Sequence, residues 1–117
     1  MESTRQLKVA RLLQKEMGEM FQRELSHQLF GAFIAVTKIR ISPDLSHAKA
    51  YLSIFGNSNK ILVMDKIKEI SKEIRGKMGG RIGKQLRIVP TFEFFLDDSA
   101  EYAAHIEELL KKSNSQK

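Results

Sequence analysis

The spacing of apolar residues changes once, near Gly31, and that change limits what the chain can build. Upstream, Leu7, Ala10, Leu13, Met17, Phe21 and Leu25 recur every three or four residues, the repeat of one helix face, between Ser3 and about Gln28. Ser3 and Gln6 stand at capping-box spacing at its start. Downstream the repeat is two, so Phe33, Ala35, Thr37, Ile39 and Ile41 are expected on one face of a strand, with Lys38 and Arg40 on the other. A long amphipathic helix leading into half-buried strands implies an α+β domain.

The rest of the chain continues the alternation of elements. Ser42-Pro43-Asp44 supplies turn chemistry, and Ala48, Ala50, Leu52 and Ile54 then fall on one face of a second strand, which predicts a hairpin. Gly56-Asn57-Ser58-Asn59 breaks that strand and offers caps to a helix carrying Val63, Ile67, Ile70 and Ile74, expected to end near Gly76. Gly76, Gly79, Gly80 and Gly83 crowd eight residues, too many for a continuous helix when each costs up to about 1 kcal/mol relative to Ala, so a turn is expected there. A short helix to about Leu86 and a third strand over 87–96 follow, with Pro90 confining the strand's first part to an edge or bulge. Asp98 and Glu101 cap a last helix with Tyr102, Ile106, Leu109 and Leu110 inward, and residues 113–117 are expected to be a disordered tail. The expected core joins Phe33, Ile39, Ile41, Leu52, Ile54, Phe92 and Phe94 to Leu13, Met17, Phe21, Ile67, Ile70 and Ile74.

At 117 residues there is room for one domain, here 1–112. No apolar run reaches the roughly 18 residues of a membrane span, and the polar amino terminus is unlike a signal peptide. With no cysteine, disulfides, thiolate metal sites and cysteine nucleophiles are excluded, which suits a reducing cytoplasm. A net charge of +6 points to a polyanionic partner, nucleic acid before an acidic membrane.

The charge is unevenly spread. Residues 72–87 contain Lys72, Arg75, Lys77, Arg81, Lys84 and Arg87 against Glu73 alone, whereas five acids face three lysines over 97–117. Gly76-Lys77-Met78-Gly79 is a literal G-x-x-G within the basic segment, and two glycines let a backbone approach a phosphate while the next helix presents its amides. A second basic group, Lys8, Arg11 and Lys15, projects from one flank of the first helix with Arg5 beside it.

The order of helix, hairpin, helix, glycine turn, helix and third strand resembles a type II KH domain. The segments Thr4-Arg5-Gln6-Leu7-Lys8-Val9-Ala10, Val36 to Lys49 across the hairpin, Leu86-Arg87-Ile88-Val89-Pro90 and Asp97-Asp98-Ser99 together resemble the ribosome-binding factor A family over about residues 3–110. That resemblance implies a KH-like fold and a bacterial assembly factor that binds the immature small ribosomal subunit and assists late maturation and processing of its rRNA. It implies no enzyme, no cofactor and no metal, and a monomer in the cytoplasm. In many relatives the helix pair is interrupted at an Ala-x-Gly kink; here the corresponding place reads Ile70-Ser71-Lys72, so the interruption is expected to have moved downstream to Gly76. RNA contacts are expected from Arg5, Lys8, Arg11, Lys15, Lys38, Arg40, Arg75, Gly76, Lys77, Gly79, Arg81, Lys84 and Arg87. A generic KH domain clasping single-stranded RNA through Gly76 to Gly79 is the competing reading, and an adaptor using the acidic last helix stands outside both.

Enzyme readings find little support. Asp97-Asp98 sits where helix caps sit, and His27, His47 and His105 are scattered with no HxxxH pair. No phosphate-binding loop or dinucleotide fingerprint occurs, and a small-molecule substrate is not expected. Met17, Met20 and Met78 are expected in packing. Tyr51 and Phe55, on the outer face of the second strand, could stack on bases, but partial burial is the simpler expectation.

Overall fold

The computed structural model of the chain describes residues 3–57 and 59–97. The elements run α1 (Thr4–Arg23), a 3₁₀ turn (Ser26–Gln28), β1 (Phe33–Ile41), β2 (His47–Phe55), α2 (Lys60–Glu69), α3 (Ser71–Ile82) and β3 (Thr91–Leu96). The expected last helix and the tail lie outside the described residues. Within them no helix is long and apolar enough to cross a membrane.

The predicted capping box closes α1. Ser3 Oγ accepts from the Gln6 amide and Gln6 Oε1 accepts from the Ser3 amide, at 3.1 and 2.8 Å. Gln6 then does a second task, donating its side-chain amide to the Ile41 carbonyl at 2.9 Å, while Gln14 donates to the Val36 carbonyl at 2.9 Å. β1 is an edge strand, so α1 satisfies carbonyls that no neighbouring strand reaches. The apolar stripe of α1 is rotated slightly from the expected one: Val9 is buried and Leu7 is 45% exposed.

The sheet has the order β1-β2-β3, with β1 antiparallel and β3 parallel to β2. A bulge between Val36 and Lys38 leaves Thr37 as the extra residue, and this corrects the simple alternation read across β1. Before the bulge Ile34 and Val36 face the core; after it Ile39 and Ile41 do. Phe33 was expected inside with Ile39, but one inserted residue between them reverses its side, and it is 49% exposed. Ala48, Ala50, Leu52 and Ile54 are buried as expected, as are Phe92 and Phe94. They meet Leu13, Met17, Phe21, Val63, Ile67, Ile70 and Ile74 in one core, where Phe21 and Phe94 pack edge to face at 6.5 Å.

Two expectations about the second half of the chain are overturned. The helix break falls at Ile70, whose amide closes α2 on Lys66 and whose carbonyl opens α3 by accepting from Ile74 at 2.9 Å. The interruption has therefore not moved downstream. α3 runs unbroken through Gly76, Gly79 and Gly80, because Ile74, Met78 and Ile82 recur on its buried side and their burial outweighs the helix cost of the glycines. The turn begins only at Gly83, where a β-carbon would stand 2.6 Å from the Gly79 carbonyl oxygen. β3 also begins later than expected, at Thr91, immediately after Pro90, which has no amide to donate.

Candidate nucleic-acid interface

The cations predicted on two separate elements are brought together. Gln14, held on the β1 edge, fixes α1 so that Leu7, Ala10 and Arg11 face Thr37, Lys38, Ile39 and Arg40 across an open cleft of about 350 Å³. Arg5, Lys8, Arg11, Lys15, Lys38 and Arg40 are all exposed, and none makes an ion pair among the described residues. The bulge at Thr37 is what turns Lys38 and Arg40 to the outer face of the sheet. Lys49, register partner of Arg40, adds a cation that the sequence reading did not single out. The alternation of β2, with Ala48 and Ala50 inward, already carried that signal.

A second cleft, about 170 Å³, brings Arg5 and Arg87 together beside Asp44, Leu45 and Ile88. Asp44 accepts from the hydroxyls of Ser42 and Ser46 and from the Ser46 amide, and these bonds pull its carboxyl down to about 2. The hairpin turn thus stays anionic across the physiological range, and it tempers the charge of Arg5 and Arg87.

The basic segment at 72–87 is largely consumed by structure. Arg81 was expected on RNA; its guanidinium instead reaches Glu24 at 2.8 Å, Glu16 at 3.1 Å and Glu19 at 3.3 Å, pinning α3 to the carboxyl half of α1. Lys77 lies 3.7 Å from Glu24. Arg75 donates to the carbonyls of Val89 and Pro90, at 2.9 and 3.2 Å, and so holds the approach to β3. Gly76 and Gly79 line a shallow cleft with Lys72, Arg75 and Val89, but as mid-helix residues they present no loop amides to a phosphate, and Met78 between them is wholly buried. The structure contradicts the G-x-x-G clasp. Lys84 and Arg87 remain exposed, on the connection after α3.

The Arg81 network gives a direct pH expectation. Hydrogen bonding to Arg81, with the charges of Arg81 and Lys77 behind it, holds the Glu24 carboxyl below its ordinary 4.5. Burial works against the Arg81 charge, but its bonds to Glu24 and Glu16 outweigh that and raise its pKa. A carboxyl lowered in the folded state stabilises fully above its unfolded value and loses that contribution as pH falls through the folded one. Arg81→Ala is expected to cost about 1–3 kcal/mol at pH 7 by leaving three carboxylates facing one another. Denaturant titrations should also find the mutant's stability falling less between pH 5 and 3 than that of the wild type. An equal decline in both would exclude the network as its source.

His27 stands exposed in the 3₁₀ turn, and His47 lies 3.7 Å from Glu93 on the outer sheet face. Among the described residues no three His, Asp or Glu side chains gather as a metal site would need. Asp97 accepts from the Thr37 hydroxyl and its carbonyl accepts from Ser53, tying the end of β3 across the sheet. Asp98 and His105 lie outside the described residues. Met17, Met20 and Met78 are all fully buried.

An α+β domain with six exposed cations, unpaired among the described residues, along one helix and one edge strand defines a small basic binding module. The chain belongs to the ribosome-binding factor A family, whose profile matches residues 5–110. Ribosome-binding factor A of Cytophaga hutchinsonii is 50% identical over 113 residues, covering 96% of this chain and 84% of that protein. Its counterpart in Christiangramia forsetii is 40% identical over 111 residues, covering 94% and 85%. Among solved structures, the crystal structure of ribosome-binding factor A from Thermus thermophilus superposes with a TM-score of 0.63 at 19% identity, covering 78% of this chain and 94% of that one. A Thermus thermophilus homology model fitted into a cryo-electron microscopy map of a 30S complex gives 0.59 at 20% identity, covering 76% and 91%.

Proposed function

We propose that this protein is a non-catalytic assembly factor that binds the immature small ribosomal subunit, acting on its 16S rRNA during late maturation and processing. Family membership supports it, as does the 30S complex reported for the Thermus relative. The single observation that carries the reading on this chain is the convergence of Arg11 with Lys38 and Arg40 in one open cleft, flanked by Arg5, Lys8 and Lys15. Folded RNA is recognised mainly by its phosphates and shape, which spaced, unpaired cations on a rigid scaffold suit. The order α-β-β-α-α-β is consistent with a type II KH-like domain. In this reading the helix break at Ile70 takes the place of the KH loop. The protein works as a cytoplasmic monomer and needs no cofactor, membrane or small-molecule substrate.

If about four of these cations neutralise phosphates, affinity for purified immature subunits should fall with salt at a log–log slope of about −3 to −4. A flat salt dependence in a filter-binding titration would remove the reading.

A further inference from the structure

Beyond the phosphate-binding cleft, the sheet face turned away from α1, α2 and α3 carries an aromatic pair that neither the core of the described residues nor the cleft uses. Tyr51 of β2 and Phe95 of β3 are register partners, both half-buried, with ring centroids 5.3 Å apart and planes 24° from parallel. The same cross-strand row continues to Lys38 on β1, the register partner of Tyr51. One row along stand Arg40, Lys49 and Glu93. The cations on this face, Lys38, Arg40 and Lys49, occupy β1 and β2. Glu93, close to His47, stands on β3, while the Asp97 carboxylate reaches across the sheet to accept from Thr37 of β1.

We propose that this face receives an unpaired RNA nucleotide, its base stacked on the Tyr51–Phe95 pair and its phosphate held over β1 by Lys38 and Arg40. The inference rests on the rRNA reading above and deepens it, assigning single-stranded as well as folded RNA to the protein. Bases of any identity stack on aromatic rings, and such stacking contributes a substantial part of single-strand affinity. The placement of charge sets the direction, since a phosphate is attracted to Lys38, Arg40 and Lys49 and kept from β3 by Glu93 and from the Thr37 end of β1 by Asp97. Adjacent strands lie only about 4.8 Å apart, so the ring and the cations of one row are within reach of a single nucleotide. Lys38 and Arg40 also line the cleft against Arg11, which makes the platform continuous with the phosphate contacts. Because the rings engage a base only where it is free of its complement, the platform adds nothing to duplex binding.

The test compares a blunt RNA duplex with the same duplex carrying an unpaired tail, titrated against the full chain. Tyr51→Leu and Phe95→Leu keep the apolar bulk and delete the π faces. Each should weaken binding to the tailed RNA about tenfold or more and leave duplex binding and melting temperature unchanged. The chain has no tryptophan, so Tyr51→Trp places a single indole on the platform, and its fluorescence should be quenched by the tailed RNA and not by the duplex. Leucine variants that bind both RNAs as the wild type does, or an indole indifferent to the tail, would overturn the platform while leaving the phosphate-binding reading intact. A wild type that binds neither RNA would overturn both. Should a leucine variant fail to fold, the indole signal decides.

Discussion

Met78→Asp is expected to unfold the domain, although the residue sits between two glycines in a strongly basic stretch. Its side chain is fully buried on the core face of α3, and a carboxylate there loses both the packing of the thioether and its own hydration. A cost above about 4 kcal/mol is expected, against a total of about 5–15 kcal/mol for a domain of this kind. Circular dichroism should report loss of structure at 25 °C. The neighbouring glycines sharpen the point. Nothing lies within 4 Å of where a β-carbon would stand on Gly76, so Gly76→Ala should stabilise α3 by about 0.5–1 kcal/mol. A clasping loop would give the opposite pair of results: a tolerated aspartate at 78 and a binding defect from alanine at 76. Folded, soluble Met78→Asp protein would refute the continuous helix.

The other large effect is on binding. Lys8, Arg11 and Lys15 changed together to Glu should reduce affinity for immature small subunits by about 10² or more, because three phosphate contacts are lost and three repulsions introduced. The salt slope of the triple variant should flatten by about 3. All three side chains are exposed and unpaired among the described residues, so the melting temperature should stay close to that of the wild type. Lys77→Glu provides the contrast. Lys77 is already engaged near Glu24, so its reversal should disturb stability more than binding. If the two variants lost affinity equally, the helix–strand cleft would not be the main contact.

The parts of this molecule that were legible in the sequence are those set by local chemistry. The capping box at Ser3 and Gln6, the Ser42-Pro43-Asp44 turn and the Asn59 cap each work within a few residues, and each forms as its spacing predicts. The cations of α1 were legible for the same reason, since a helix repeat decides which side chains share a flank. What failed was set at long range. A charge sum over 72–87 could not see that Glu16, Glu19 and Glu24, fifty residues and more upstream, take up Arg81. Glycine propensity could not see that Ile74, Met78 and Ile82 have a core to enter. The resemblance to ribosome-binding factor A came from whole segments, and those segments carried the family correctly even where the local geometry at Gly76 to Gly79 was misread.

The bulge at Thr37 makes chain length in β1 a different kind of variable from composition. Lys38 and Arg40 face outward, and Ile39 and Ile41 inward, only because one residue is left without a partner between Val36 and Lys38. Exchanging one residue for another along this strand disturbs one contact at a time. Deleting Thr37 alone would remove the bulge and join Val36 directly to Lys38, leaving every later side chain on its present face, whereas losing a second residue beside it would drive two cations toward the core and two isoleucines into water. Homologous chains should therefore vary freely in which basic residues they carry here, yet within the strand admit a single-residue gap only at the bulge.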